Sequence, residues 1–389
     1  MSRPRVVVLG MMTKMPVAGV VWQTAHYLLG LERLGCDAFY VEAHGINPSA
    51  FCRSADDPGT DAAAGFIGRT LERFGLADRW AFQALHDDGH AVGPVADSLD
   101  DLYRSAAVVV NLHGGTTPRP EHAAGGRLVY LETDPVQVQV ELHEGRAETV
   151  DYLEPHCAFF TFGENYGRPG CNLPVDARFR FHPTRQPVVL DLWEREVPAG
   201  PTWTTIGNWR QSWRTVELDG EPYTWSKHTE WAKVLELPRR TRLPIELALA
   251  GFGARDRERL ERRGFAVRPA VEVSADADRY RDYITASRGE VTVAKDQNVR
   301  LKTGWFSDRS ATYLAAGRPV VTQDTAFGEV LPTGEGLFAY RTVEEAADAL
   351  LEIERDWDRH AKAAAAIARE HFDSDLVLGR MLDDLGVRP

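Results

Sequence analysis

Short, unbroken runs of β-branched and apolar residues, each followed by a polar turn or a stretch of helical periodicity, constrain this chain more than any other feature. Residues 6–9, 38–41, 106–112, 128–132 and 158–162 do not alternate apolar with polar side chains. A strand with one wet face alternates, whereas a continuous run suits a strand covered on both faces of a parallel sheet. Parallel neighbours require a crossover, most often a helix, and residues 22–34 have helical spacing. The first half is therefore predicted to form a doubly wound α/β layer.

Residues 168–201 break the pattern with Pro169, Pro174, Pro183, Pro187, Pro198 and Pro201, which predicts an interdomain linker. Beyond it the alternation restarts. Strands are predicted at 204–206, 245–250, 267, 290–294 and 319–322, with helices at 227–237, 256–263, 280–286 and 310–316. Residues 216–223 read as a hairpin turned by Asp219-Gly220. The Ala-rich segments 343–353 and 359–371 are predicted helical, followed by one more helix at 373–385. The expected architecture is two α/β domains, residues 1–198 and 199–389, facing each other across a cleft, with the last helix free to pack back on the first domain.

Charge narrows the partners. Lys plus Arg total 45 against 57 Asp plus Glu, a formal charge of -12. Such a surface repels phosphate backbones and anionic lipid, so neither nucleic acid nor a membrane surface is an expected partner. A small anion can still bind where cations cluster locally. Cys36, Cys52, Cys157 and Cys171 form no CxxC pair and no zinc-type spacing, which points to free thiols and a cytoplasmic location. Arg3 and Arg5 before the apolar run 6–12 have a leader-like look. Lys14 interrupts the region and no small-residue cleavage site follows, so a buried first strand and a glycine loop are the expectation. No run approaches the roughly 18–20 apolar residues that span a bilayer.

The loop after the first strand runs from Gly10 to Gly19 and is not GxGxxG. Glu42 is the nearest acidic residue to a ribose position, so a nicotinamide cofactor is not expected. The loop leads into a helix amino end, where free N–H groups can hold a polar ligand. Gly19 and Trp22 are thus candidate ligand contacts; the alternative is that Gly19 only turns the loop and Trp22 packs on the sheet.

The most informative stretch is 291–340. It reads strand, Lys295-Asp-Gln-Asn, then Gly304-Trp-Phe-Ser-Asp-Arg-Ser-Ala-Thr-Tyr-Leu-Ala-Ala-Gly317-Arg-Pro-Val-Val-Thr-Gln-Asp324, Glu335-Gly-Leu337, and an acidic Ala-rich helix. With Pro16 and Gly19 in the first loop and Leu31-Glu-Arg-Leu34-Gly35 before the second strand, the order resembles GT-B glycosyltransferases, in particular the retaining "glycosyl transferases group 1" branch. The resemblance implies two Rossmann-like domains, an acceptor-binding one followed by a donor-binding one. It implies sugar transfer from a nucleoside-diphosphate sugar, UDP- or TDP-linked, to a small-molecule acceptor, with no other cofactor. No Asp-x-Asp motif stands in a suitable loop, so no metal is expected. A homodimer is compatible with all of this.

One departure stands out. Many members of the branch carry two glutamates eight positions apart; here those positions hold Gly304 and Thr312. The departure leaves open retention or inversion of the sugar linkage. It also keeps open a binding protein without turnover; a nucleotide-sugar epimerase on the same fold is the other alternative.

A diphosphate leaving group demands donors aimed at developing negative charge. Ser307 or Asp308 is placed to cap a helix beginning at Ser310 and Ala311, which would present free N–H groups and a positive dipole end. Arg309 in that turn, Lys227 at another helix start and Lys295 at a strand end are the candidate cations, with Lys302 behind them. Thr312 has a hydroxyl for a ribose or phosphate oxygen, and Asp324 a carboxylate for sugar hydroxyls. Gly207 and Asn208 follow the first strand of the second half, where a glycine permits close backbone approach to a ligand. Of Trp203, Trp209, Trp213, Trp225 and Trp231, one or two are expected in the cleft. On the acceptor side His113 and Asp134 are the candidate catalytic groups, with Glu132 competing. Glu164 ends another strand, and His26 is expected to be packed or solvated within the first helix.

Overall fold

The computed structural model describes residues 3–54, 56–211 and 215–388; Trp213 lies outside them. The apolar runs become strands of two separate sheets. The first contains β1 (Arg5–Leu9), β2 (Asp37–Ala43), β3 (Trp80–Gln83), β4 (Ala91–Val92), β5 (Val108–Leu112), β6 (Leu128–Glu132), β7 (Ala158–Thr161) and β8 (Phe181–Pro183). Their order is β4-β3-β2-β1-β5-β6-β7-β8, parallel except where β4 turns back on β3. β10 (Val216–Leu218) and β11 (Glu221–Tyr223) form a hairpin of their own, with Asp219 and Gly220 both at positive φ as a two-residue turn requires.

The second sheet is built from β9 (Trp203–Asn208), β12 (Ile245–Ala250), β13 (Ala266–Pro269), β14 (Gly289–Thr292), β15 (Val320–Gln323) and β16 (Leu337–Tyr340). It is wholly parallel, in the order β13-β12-β9-β14-β15-β16. The expected boundary at 198 falls between the last strand of one sheet and the first of the other. β8 was not expected, because prolines masked a short edge strand inside the linker. β3, β4 and β16 also lacked a long apolar run.

Both sheets reverse their winding beside their first strand, between β1 and β5 and between β9 and β14. At such a reversal the flanking loops diverge and leave a crevice at the carboxyl ends of the strands, where open α/β sheets bind ligands. The two crevices face each other here.

A shared core joins the lobes below the cleft. Trp22, Trp193, Tyr280, Ile284, Phe306, Phe372 and Leu378 belong to one buried cluster drawn from both halves. The terminal helix Ser374–Asp384 crosses back onto the first helix, Ala18–Arg33. Gly30 makes that crossing possible: a Cβ there would lie 2.6 Å from Leu378 Cδ1 and 2.9 Å from Ser374 Cβ. None of the helices among the described residues is long and apolar enough to cross a membrane.

Candidate functional site

A cavity of about 1340 Å³ opens between the lobes at the two switch points. From the first lobe it is lined by the loop after β1 (Met11, Lys14, Met15), by Gly19, and by the ends of β5 (His113, Gly114) and β6 (Glu132, Thr133, Asp134). From the second come Gly207 and Asn208 after β9, Trp225, Lys227, Lys295 after β14, and Ser307, Asp308 and Arg309. Of the sequence-predicted residues, the structure thus brings together Gly19, His113, Asp134, Gly207, Asn208, Lys227, Lys295, Ser307 and Arg309.

The floor of the second lobe is cationic by construction. The helix Asp308–Ala315 starts two residues before the sequence suggested, and Ser307 at its N-cap makes no side-chain cap. Its amino end, Ser307 to Arg309, lines the cavity with the positive end of the helix dipole, and the Asp308 carboxyl accepts from Arg309 N within that turn. Arg309 is held from beneath: Nε donates to Glu290 Oε1 at 2.5 Å and Nη2 to Thr292 Oγ1 at 3.1 Å. Its Nη1 is left beside Gly207, 3.9 Å from where a Cβ would stand. Lys227 is buried, and desolvation, reinforced by the Arg309 and Lys295 cations, pushes its ammonium down to about 7. Burial pushes the Asp308 carboxyl up; the Arg309 cation opposes this and Asp134 adds to it.

Lys295 reaches across the cavity and pairs with Asp134 of the first lobe. Its ammonium also stands 3.3 Å from the Trp225 ring centroid and 5.4 Å from that of Trp305, within cation–π range. Trp305 Nε1 donates to Thr133 O at 2.9 Å, a second clasp between the lobes. The clasped loop is strained, since Val136 has a φ of 111°, an outlier for a β-branched residue.

His113 closes β5 with a φ of 65°, also unusual for a non-glycine residue. Its Nδ1 lies 3.0 Å from Thr133 Oγ1, and its Nε2 is buried without a partner among the described residues. Burial pushes the imidazole down to about 4, so at neutral pH the ring is uncharged. Lys14 bridges to Gly115 O at 3.1 Å, tying the β1 loop to the β5 loop.

Four expected contacts lie away from the cavity, each for a physical reason. Trp22 is core: it is 2% exposed, donates Nε1 to Ala277 O at 2.8 Å and packs on Trp193 and Phe74. Ser310 points down to Glu290 Oε2 at 2.5 Å. Thr312 returns its hydroxyl to Arg309 O at 2.7 Å, and borders a small internal space with Trp22 and His26. Asp324 forms a turn, accepting from Ala326 N at 2.7 Å and pairing with exposed Arg341 at 2.8 Å.

Lys302 is an exposed helix C-cap residue at a φ of 52°. Glu164 pairs with Arg185 outside the cavity lining. His26 is fully enclosed, with its Nε2 3.0 Å from Trp193 Nε1 and its Nδ1 3.1 Å from Val189 N. Trp203, Trp209 and Trp231 are core, and Trp225 lines the cavity.

Sequence reasoning missed Glu290, Trp305, Thr133 and Lys14. Glu290 stands in a buried strand whose apolar neighbours hide it, although a carboxylate in such a run signals a buried partner. Trp305 stands in an aperiodic stretch between a strand and a helix, where no local pattern marks it.

No protein-family model and no curated protein matches the sequence. Solved structures do match over nearly the whole chain. AviGT4, described as a glycosyltransferase involved in avilamycin A biosynthesis, aligns at 14% identity and a TM-score of 0.54 over 98% of this chain and 97% of its own. Anabaena HepE in complex with UDP and glucose aligns at 12% identity and 0.54 over 99% and 100%. A UDP-N-acetylglucosamine 2-epimerase aligns at 11% identity and 0.51 over 99% and 97%. At these identities the likeness shows the fold: the chain has the two-lobed GT-B architecture.

Proposed function

We propose that the chain is a glycosyltransferase that moves a sugar from a nucleoside diphosphate to a small-molecule acceptor without a metal ion. The observation that carries the reading is one convergence. Lys227, Lys295, Arg309 and the amino end of the helix Asp308–Ala315 line one wall of a cavity whose other wall presents His113. The first wall suits a diphosphate, because cations and oriented N–H groups stabilise the charge that develops as the sugar leaves. Glu290 keeps Arg309 aimed at the cavity.

On the second wall, uncharged His113 has the Nε2 lone pair to accept a hydroxyl proton or hydrogen-bond the moving sugar, once Nδ1–H is given to Thr133. When a donor binds, its phosphates compete with Asp134 for Lys295. That exchange would free the Asp134 carboxylate on the acceptor side. A pyrimidine nucleotide, UDP or TDP, is the donor we favour, in line with the sequence resemblance.

Calorimetry with UDP, TDP and GDP tests the reading. Micromolar binding of one of them that survives EDTA is expected, and no heat with any would remove it.

A second reading, a nucleotide-sugar epimerase, is favoured by the carboxyl groups of Glu132 and Asp134 at the cavity. Incubating UDP-N-acetylglucosamine with the protein alone separates the two. A C2-epimerised product without any acceptor would favour the epimerase.

A further inference from the structure

Glu132, the last residue of β6, is 2% exposed and lines the cavity. Its Oε2 accepts from Gln139 Nε2 at 2.8 Å and from Thr161 Oγ1 at 2.6 Å. Both partners are fixed as donors. Gln139 Oε1 receives Val136 N at 2.7 Å, which leaves its Nε2 to face Glu132. Thr161 Oγ1 receives Gly163 N at 3.0 Å, which leaves its proton for Glu132. The other oxygen, Oε1, is buried and has no partner among the described residues.

The titratable groups that interact with this carboxyl are Asp134, two residues on and itself paired with Lys295, and Tyr166; His113, uncharged, follows the adjacent strand and lines the same cavity. Burial, with a smaller push from Asp134, raises the carboxyl to about 8, against the hydrogen bonds from Thr161 and Gln139. At neutral pH Glu132 therefore carries a proton. With Oε2 already receiving two donors, the proton belongs on Oε1.

Resting on the glycosyltransferase reading, we propose that Glu132 is a substrate-contacting residue whose Oε1–H donates to a hydroxyl of the transferred sugar, next to the Nε2 acceptor of His113. The strand register carries the geometry. Leu112 pairs with Leu131 at the carboxyl ends of β5 and β6, and His113 and Glu132 are the residues that follow them at that end of the sheet. Both residues line the same cavity, and each holds a buried polar atom with no partner among the described residues. A sugar hydroxyl is donor and acceptor at once, and this pair offers the complement of both.

The test compares UDP with UDP-glucose by calorimetry, because the ratio of their dissociation constants isolates the sugar and cancels pH effects on the diphosphate site. E132A is expected to lower the preference for UDP-glucose about tenfold, the scale of one hydrogen bond, with UDP affinity unchanged. E132Q keeps an N–H at the Oε1 position and an acceptor for Thr161 and Gln139, so its preference should stay near wild type.

The wild-type preference should fall as pH rises through about 8, and that step should vanish in E132Q. Infrared difference spectra of the ligand-free protein should show a protonated-carboxyl band at neutral pH that E132Q removes. An unchanged preference in folded E132A, or no such band, overturns the proposal alone. Absence of binding by UDP and UDP-glucose alike overturns this ligand assignment and, with the other nucleotides also silent, the glycosyltransferase reading beneath it.

Discussion

Arg309 Nε lies 2.5 Å from Glu290 Oε1, with Arg309 in the cavity floor and Glu290 buried beneath it. The pair fixes which edge of the guanidinium is spent on the protein and which is left for a ligand. Glu290 also receives Ser310 Oγ at 2.5 Å and Thr205 Oγ1 at 3.1 Å, so one carboxylate organises a strand and a helix start.

Removing one member of a buried pair strands the other. Glu290→Ala should destabilise the protein by about 3–5 kcal/mol, read as a shift in the urea midpoint. Arg309→Ala should raise the Kd for UDP at least tenfold, about 1.4 kcal/mol. An unchanged Kd in a folded Arg309→Ala variant would remove the guanidinium from the phosphate site.

Lys227 makes diphosphate binding depend on pH. Its ammonium is held down to about 7, so the lysine is cationic below that value and largely neutral above it. An incoming anion favours the cation. UDP should bind more tightly at about pH 6 than at about pH 8.5, with net proton uptake in calorimetry repeated in buffers of different ionisation enthalpy. Lys227→Met should abolish the uptake.

Buried histidines set the acid limit of the fold. Burial holds His26 and His44 at about 3 and His113, His122 and His156 at about 4. A histidine with a depressed folded value supports the native state above its ordinary value of about 6.5 and loses that support as pH falls toward the folded one. Thermal midpoints should be level between about pH 7 and 8 and fall steeply below about pH 6. His26→Gln should give a shallower fall.

Glycine at 304 is a requirement of the loop. The residue has a φ of 75°, and a Cβ would lie 2.7 Å from Asn165 Cγ and 2.9 Å from its backbone nitrogen. Gly304→Glu, which would restore a carboxylate at that position, should cost at least about 1–3 kcal/mol from the backbone conformation alone. Differential scanning calorimetry would register a lower Tm. Tighter UDP-glucose binding in that variant would contradict the steric account.

The same contrast separates what was readable from what was not. Apolar runs at 6–9, 106–112 and 128–132 announced buried parallel strands because local pattern reports burial on both faces. Lys227, Lys295 and Arg309 line the cavity as their chain positions suggest, because each stands at a strand end or helix start, and such points lie at the crevice of an open sheet. Ser310, Thr312 and Trp22 have equally suggestive positions. Side-chain direction turned them inward, and direction follows from packing against strands distant in the sequence.

The sequence by itself determined the two-layered alternation, the order of the lobes and the strand ends from which a site could be built, since these follow from local periodicity and turn chemistry. Only the tertiary structure decided that Lys295 meets Asp134, that Glu290 underpins Arg309 and that Glu132 faces the cavity with one oxygen unpartnered. The first and last of these depend on how the two lobes face and fold around one cavity, and the second joins residues 19 positions apart. No short-range pattern encodes such approaches, because burial and charge at each site are set by residues the chain brings in from elsewhere.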